Sequence, residues 1–443
     1  MRVVVASTAI AIASSVVALA GCPARPIAAS GPQLSPSEGL VFEDEERALR
    51  LDADGLFALD GALFDRRNAR DSELRLDRAL LGGSAAWRGA VEARVLFDLV
   101  GIDTRSGLSE AWASARAERV ARLSLGLLPL ALGVEDSFQS GAQSLVGYPS
   151  FASFLTGRTD LAVELDGELR EGLVSYDLSY AFGEGFDRFG QRRGDPQLAG
   201  RVVTYPLRFV DASLDVGPYH LPLLSGFFVS FGAAWLFDYD AHLDVATPLR
   251  NKLFDTDRLD GRGGRAWHLG LGVDFGPLRV VHETVRSGIA DLRLPSGVRA
   301  DLDDQITSWH LLVAWRITGE PYDSRPFRQR ELRRPTPPRR PLDGEGEAAG
   351  LGAVELAFRY ANGDIDRELQ TQGLVARNPN APPPENFQSS QEFRTATIAI
   401  NWDPTAYLRV SGELVRVIAD QYPAAFDSHG RDTSGLVRVQ YTF

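Results

Sequence analysis

The chain has 443 residues, a formal net charge of -12 and a mean hydropathy of -0.13. That average is too polar for a helical membrane protein, and the acidity excludes nucleic acid as a partner, because phosphate binding needs a net basic face. The 43 Gly, 23 Phe, 11 Tyr and 7 Trp suit strands, tight turns and aromatic belts instead.

At the N-terminus, Arg2 is followed by the apolar run "VVVASTAIAIASSVVALA", which predicts a signal peptide over 1–20 with a small-x-small cleavage pattern at Ala18 and Ala20. The overlapping "LAGC" resembles a bacterial lipoprotein box and makes Cys22 a candidate lipidation site, although Pro23 follows it directly. Cys22 is the sole cysteine, so an internal disulfide is excluded. Residues 21–50, rich in Pro, Ser and acids from 31 onward, read as a flexible leader. Beyond residue 22 no apolar run reaches the roughly 18 residues of a helical span.

From residue 51 onward alternating patterns dominate. The clearest hairpin is "LAVELDGELREGLVSYDLSYAF", in which Leu161, Val163, Leu165, Gly167 and Leu169 oppose Ala162, Glu164, Asp166, Glu168 and Arg170, with a turn at Glu171 and Gly172. The same alternation recurs in "WHLGLGVDF", "WHLLVAWRI" and "VELAFRY", and in the terminal "VRVQYTF". Further strands fit at 54–65, 73–83, 87–99, 108–116, 121–131, 198–211, 223–238, 391–402 and 406–418. In the last of these the alternation breaks after Leu414, which predicts a bulge or strand end.

The expected fold class is all-β: an antiparallel transmembrane β-barrel over 51–443, with about 16 strands, short periplasmic turns and long external loops. Short joints at 83–86, 117–120, Glu171, "FGPL" and "DPTA" follow even-numbered strands, whereas the long polar stretches 132–159, 239–263 and 362–390 follow odd ones. The Pro/Arg-rich connection 318–351 is a long periplasmic exception. Closure also explains a final aromatic strand, since the last strand of a barrel pairs with its first.

Several stretches, in order, resemble the phosphate-selective porin O and P family of Gram-negative outer membranes. They are "DRALLGG", "ARVLFDL", "LSEAWASA", "LSLGLLPLALGVEDS", "GRVVTYPL", "VVHETVRSG", "WHLLVAWRITGEPYD", "GAVELAFRYANGDIDR", "IAINWDPTAYLRVSGELVRV" and "VRVQYTF". The resemblance implies a sixteen-stranded porin in outer-membrane lipid, a homotrimer that passes small anions. It also implies that Phe443 is part of the signal read by the outer-membrane assembly machinery. Where phosphate-selective members carry loop lysines this chain has "LGVEDSFQSGAQS", and Asp77–Arg78 stands where paired arginines are expected.

Strand parity assigns Arg78, Arg94, Arg279, Arg359, Arg409 and Arg438 to the pore lining, with Glu92, Glu283, Glu355 and Glu413. These side chains either set a field across the pore or pair as cross-strand salt bridges. Residues 132–159 are the candidate constriction loop, carrying Glu135, Asp136 and Arg158. The function expected is a passive channel for small hydrophilic solutes with modest anion preference, phosphate among them. The alternatives are a structural or adhesive barrel with a plugged lumen, and a soluble secreted β protein.

Enzyme chemistry has little support. The six His show neither a metal-ligand pair at helical spacing nor a neighbouring nucleophile elbow, so His268, His282 and His310 read as wall residues. "DADG" at 52–55 and "DLDD" at 301–304 read as solvated acidic turns before calcium loops. No catalytic residue, metal site or cofactor is assigned.

Overall fold

A computed structural model describes residues 33–35, 39–44, 47–64, 73–100, 107–117, 119–130, 133–134, 145, 159–182, 196–210, 213–216, 219–222, 226–237, 239–241, 244–246, 252–255, 259–261, 263–293, 299–322, 350–365, 392–419 and 431–443. In chain order the strands are β1 (Gln33–Ser35), β2 (Gly39–Asp44), β3 (Leu49–Phe64), β4 (Glu73–Trp87), β5 (Val91–Asp98), β6 (Leu108–Ala117), β7 (Ala121–Pro129), β8 (Thr159–Leu169) and β9 (Val174–Ala181). Next come β10 (Gln197–Thr204), β11 (Ser213–Val216), β12 (Tyr219–Pro222), β13 (Phe227–Leu236), β14 (Tyr239–Ala241), β15 (Asp244–Ala246), β16 (Lys252–Asp255), β17 (Leu259–Gly261) and β18 (Gly263–Phe275). The last six are β19 (Leu278–Arg293), β20 (Arg299–Arg316), β21 (Ala353–Ile365), β22 (Glu392–Asp403), β23 (Leu408–Ala419) and β24 (Arg431–Thr442).

Sixteen of these strands form a closed antiparallel wall. The order runs β3 to β10, then β13, then β18 to β24, and β24 returns to β3 through the register Thr442↔Leu56 to Ser434↔Phe64. The two ends of the wall lock at Gly55 and Phe443, whose backbone N–H groups each donate to the other's carbonyl at 3.0 Å. Below that junction β2 takes over the same edge of β3, from Leu40↔Ala53 to Asp44↔Leu49, and β1 pairs with β2. Residues 39–44, placed by the sequence in a flexible leader, are therefore a strand that continues the wall.

Alternation of side chains explains why these segments face as they do. Along β24, Val437, Val439 and Tyr441 are exposed, while Arg438, Gln440 and Thr442 are buried. Leu59, Phe231, Ile398 and Ile400 are likewise each more than 40% exposed on the outer face, in a belt that water would disfavour. Trp87, Trp315, Trp402 and Tyr441 stand outward near the short-turn end, and Trp235 and Trp267 nearer the other. An apolar band with aromatic margins is the surface a bilayer requires of a barrel.

Short joints close the periplasmic end after β4, β6, β8, β18 and β22. One lies later than the sequence suggested. The expected joint at 83–86 falls inside β4, and the chain turns at Arg88 and Gly89, both at positive φ (53° and 63°), the geometry of a two-residue hairpin turn. The visible Gly82–Gly83 pair instead provides close packing: a Cβ at Gly82 would lie 2.7 Å from Leu96. The strand expected over 198–211 stops at Thr204, where residues 205–210 turn.

No break occurs after Leu414. β23 pairs in regular register with β22 and β24 through that point, with Val415 and Val417 inward and Arg416 and Ile418 outward. The chemistry of the two faces changes there, and the strand geometry does not. "DADG" likewise lies inside β3, where Asp52 accepts from Arg50 at 2.9 Å and Asp54 from Arg94 at 2.7 Å. "DLDD" lies inside β20. Neither is a surface turn.

Candidate functional site: the lumen wall

The inner face is polar and charged, and the charges are organised in pairs. Arg438 of β24 meets Asp60 of β3 through two hydrogen bonds of 2.6 and 2.7 Å and also reaches Asp77 at 2.6 Å. Asp77 and Arg78 sit at a register shift opposite Ala58 and Leu59, and Arg78 is half-buried there, 3.8 Å from Asp77. Around the wall, Arg94 holds Asp54 at 2.7 Å with Glu110 at 3.6 Å, and Arg122 meets Asp166 at 2.9 Å. Arg201 reaches Asp177 at 2.8 Å, Arg279 grips Asp274 with two bonds of 2.7 Å, and Arg409 grips Asp403 at 2.6 and 2.7 Å.

Eight of the predicted lining residues are buried on the inner face: Arg94, Arg279, Arg359, Arg409, Arg438, Glu283, Glu355 and Glu413. Arg78 and Glu92 are half-buried, Glu92 at 4.0 Å from Arg116. Of the two readings of these charges, the cross-strand salt bridge is the one the geometry bears out at Arg94, Arg279, Arg409 and Arg438. Of the histidines, His268 and His310 are buried inward, with His268 bonded to Ser230 at 2.9 Å, whereas His282 is half-buried beside the outward Trp309. Cys22, Glu135, Asp136 and Arg158 lie outside the described residues.

Two segments enter the lumen from outside the wall strands. Past the end of β7, Gly133 and Val134 reach well round the barrel. Arg201 of β10 donates to the Gly133 carbonyl at 2.9 Å, and the Val134 N–H donates to Glu283 of β19 at 2.7 Å. Glycine on β18 makes this possible, since a Cβ at Gly270 would lie 2.4 Å from Val134 Cγ2. Sequence parity marked Glu283 as inward but gave no sign of what it holds.

The second segment follows β20. Residues 317–322 fold back into the periplasmic mouth, where the Tyr322 N–H donates to the Gly276 carbonyl at 2.9 Å. The Tyr322 ring lies between two guanidinium groups, Arg279 at 4.4 Å and Arg316 at 4.0 Å from its centroid. Its hydroxyl donates to Glu355 at 2.6 Å, and Glu355 also accepts from Asn401 at 2.8 Å and lies 3.6 Å from Arg316. Burial, and then the charge of Glu355, push the Tyr322 phenol up, so it remains a donor. "ITGEPYD" has no strand periodicity, so Tyr322 carried no signal beyond its place next to a strand end.

No family model and no curated protein matches the chain. Solved structures do. The anion-selective porin from Comamonas acidovorans aligns with TM-score 0.50 and 12% identity over 89% of this chain and 100% of that one. OprB of Pseudomonas putida aligns with TM-score 0.50 and 11% identity over 90% and 95%, and Salmonella typhi OmpF, solved with daunomycin, with TM-score 0.50 and 9% identity over 90% and 99%. The fold is that of an outer-membrane porin. At such identities the likeness covers the architecture alone, and the chemistry of this lumen has to be read from its own residues. The outward apolar belt and the closed wall agree with that architecture and with a place in the bacterial outer membrane.

Proposed function

We propose that the protein is a narrow passive channel for small hydrophilic solutes in the outer membrane. The observation that carries this reading is a closed barrel whose inner face bears charged side chains on most of its wall strands, from Asp60 and Arg94 round to Arg279, Glu355 and Arg438. A wall built only to hold a fold in lipid has no need of so many buried ions, each costly to desolvate without its partner.

We read its charge selectivity as weak. Among the described residues, twelve carboxylates and seven arginines are buried, and most of the arginines are engaged at close range. Pairing mutes the arginines, and the buried carboxylates outnumber them, so the modest anion preference and the phosphate specificity suggested by the family resemblance have no separate support in this inventory. The homotrimer and recognition of Phe443 by the assembly machinery rest on that same resemblance and belong to the proposal.

A second reading, a barrel with a plugged lumen, is favoured by one observation. Inward side chains as large as Arg359, Phe228 and Phe393 are less than 2% exposed. Single-channel recording from the purified trimer or monomer in a planar bilayer separates the two. Ohmic steps with a reversal potential near zero in a salt gradient support the channel. Silence from a heat-modifiable, folded barrel supports the plug, and a strongly anion-selective reversal potential refutes weak selectivity.

A further inference from the structure

The outer surface of the barrel is not uniform. Among the described residues, the outward positions of β3 to β10 and β13 carry no charge, whereas the wall from β18 to β23 turns Arg265, Arg286, Arg394 and Arg416 outward, with Asp364 and Glu392. Each of these arginines is exposed between two buried neighbours on its strand, as Arg416 is between Val415 and Val417, so alternation points it away from the lumen.

Register links three of them into one band. Trp267 stands opposite Arg286, whose guanidinium lies 5.5 Å from the indole centroid. Trp309 is diagonal to Arg286 and opposite Asn362, and Asn362 is opposite Arg394. Arg394 and Arg416 are diagonal neighbours in turn, within reach of one another's long side chains. The carboxylates lie further out along the strands: Glu392 accepts from Arg394 at 2.9 Å, and Asp364 stands opposite Glu392. Arg286 and Arg416 form no ion pair with any described residue.

The height of the band fits a headgroup. Arg394 is eight residues from Trp402 along β22, about 27 Å of strand at roughly 3.4 Å a residue. At the ~40° tilt of such barrels this is about 21 Å of height, close to the outer limit of an apolar band about 25 Å tall. Ile398 and Ile400 fill the interval and are exposed. An outward arginine at that level stands where hydrocarbon gives way to polar headgroups, and its charge calls for an anion.

We propose that the outer face of β19 to β23 binds phosphate-bearing lipid headgroups of the outer leaflet, at two contact points: Arg416 beside Arg394, and Arg286 beside Trp309. A guanidinium offers paired N–H donors that match phosphate oxygens. Trp309 and Tyr360, with ring centroids 5.5 Å apart, supply an apolar surface between the two points. The uncharged outer face of β3 to β13 offers no such contact, so the recognition is one-sided. The inference concerns the outside of the wall and stands whether or not the lumen conducts.

The test is native mass spectrometry of the full-length protein in detergent, titrated with bisphosphorylated lipid A or with the same lipid stripped of its phosphates. Four proteins are compared: wild type, Arg416→Gln, the double variant Arg286→Gln with Arg416→Gln, and Arg47→Gln, which removes an exposed arginine before β3. Folding is checked by heat modifiability. Wild type and Arg47→Gln are expected to hold the phosphorylated lipid at least about tenfold more tightly than the stripped one, Arg416→Gln to lose part of that preference, and the double variant to hold the two alike. Excess inorganic phosphate is expected to leave the bound lipid in place. Equal retention of both lipids by wild type, or an undiminished preference in the folded variants, overturns the site. Displacement by inorganic phosphate assigns the arginines to free anions and overturns the lipid reading as well.

Discussion

Arg438 and Asp60 close the barrel. They stand opposite each other in the register of the last and first wall strands, and both side chains are almost fully buried, 5% and 1% exposed. Breaking such a pair leaves one charge stranded, a cost of about 3–5 kcal/mol. Arg438→Ala removes the two-bond partner of Asp60 and the nearest partner of Asp77, leaving them Arg75 at 3.9 and 3.4 Å, whereas Asp60→Asn keeps two polar atoms within reach of the guanidinium. The expected order of stability is wild type, then Asp60→Asn, then Arg438→Ala, read from the urea midpoint of the folded, heat-modifiable band. Equal midpoints for wild type and Arg438→Ala would show that the seam is held by its backbone ladder alone.

Gly55 is the second element of the seam. A Cβ there would sit 2.5 Å from the Phe443 ring, which packs 6.4 Å from Phe57 with the two rings 18° apart. Gly55→Val must therefore displace Phe443 or the Gly55–Phe443 backbone pair. Gly61, also on β3, has its nearest atoms at 3.9 Å and accepts Ala without displacement. The expectation is a large fall in the folded fraction for Gly55→Val and little change for Gly61→Ala. Equivalent yields in the two variants would refute the tight seam.

Much of this wall was legible in the sequence because a barrel imposes a period of two on both faces, and lipid rewards one face uniformly. Parity alone placed Arg94, Arg279, Glu355 and Arg438 inward. Asp60 and Asp274 share the same parity and were equally readable from "LFALDGALF" and "WHLGLGVDF". What stayed hidden was contact between distant segments. Val134 bonds to a residue 149 positions away, and Tyr322 to one 33 away. Neither pairing follows a period, so no alternation could announce it. β23 misled for the opposite reason: its backbone is regular, but its lumen face turns apolar at Val415 and Val417.

Glu283 should act on conduction through the segment it holds. It accepts the Val134 N–H in a buried setting, and an orphaned buried donor costs about 1–3 kcal/mol. Glu283→Ala removes the acceptor, while Glu283→Gln keeps a carbonyl oxygen in its place. Open-channel current noise is expected to rise in the alanine variant and to stay near wild type in the glutamine variant. The same rise in both would assign the effect to the lost charge near His310, 3.9 Å from Glu283, and not to the hold on Val134.

Alkaline pH should loosen Tyr322. Burial first, then the Glu355 carboxylate, raise its pKa above the ordinary phenol value of about 10. A docked Tyr322 thus keeps its proton at a pH where a released one gives it up. For a group raised in the folded state, the linked stabilisation is complete below the free value and declines as pH climbs past it. Docking is therefore undiminished at neutral pH and weakens above about pH 10. Wild-type conductance is expected to climb between pH 10 and 11, roughly the first unit above the free phenol value, while Tyr322→Phe, which cannot ionise, stays flat. If the phenylalanine variant climbs in parallel, the alkaline response belongs to other groups, and the hydroxyl bond to Glu355 is not what fastens the segment.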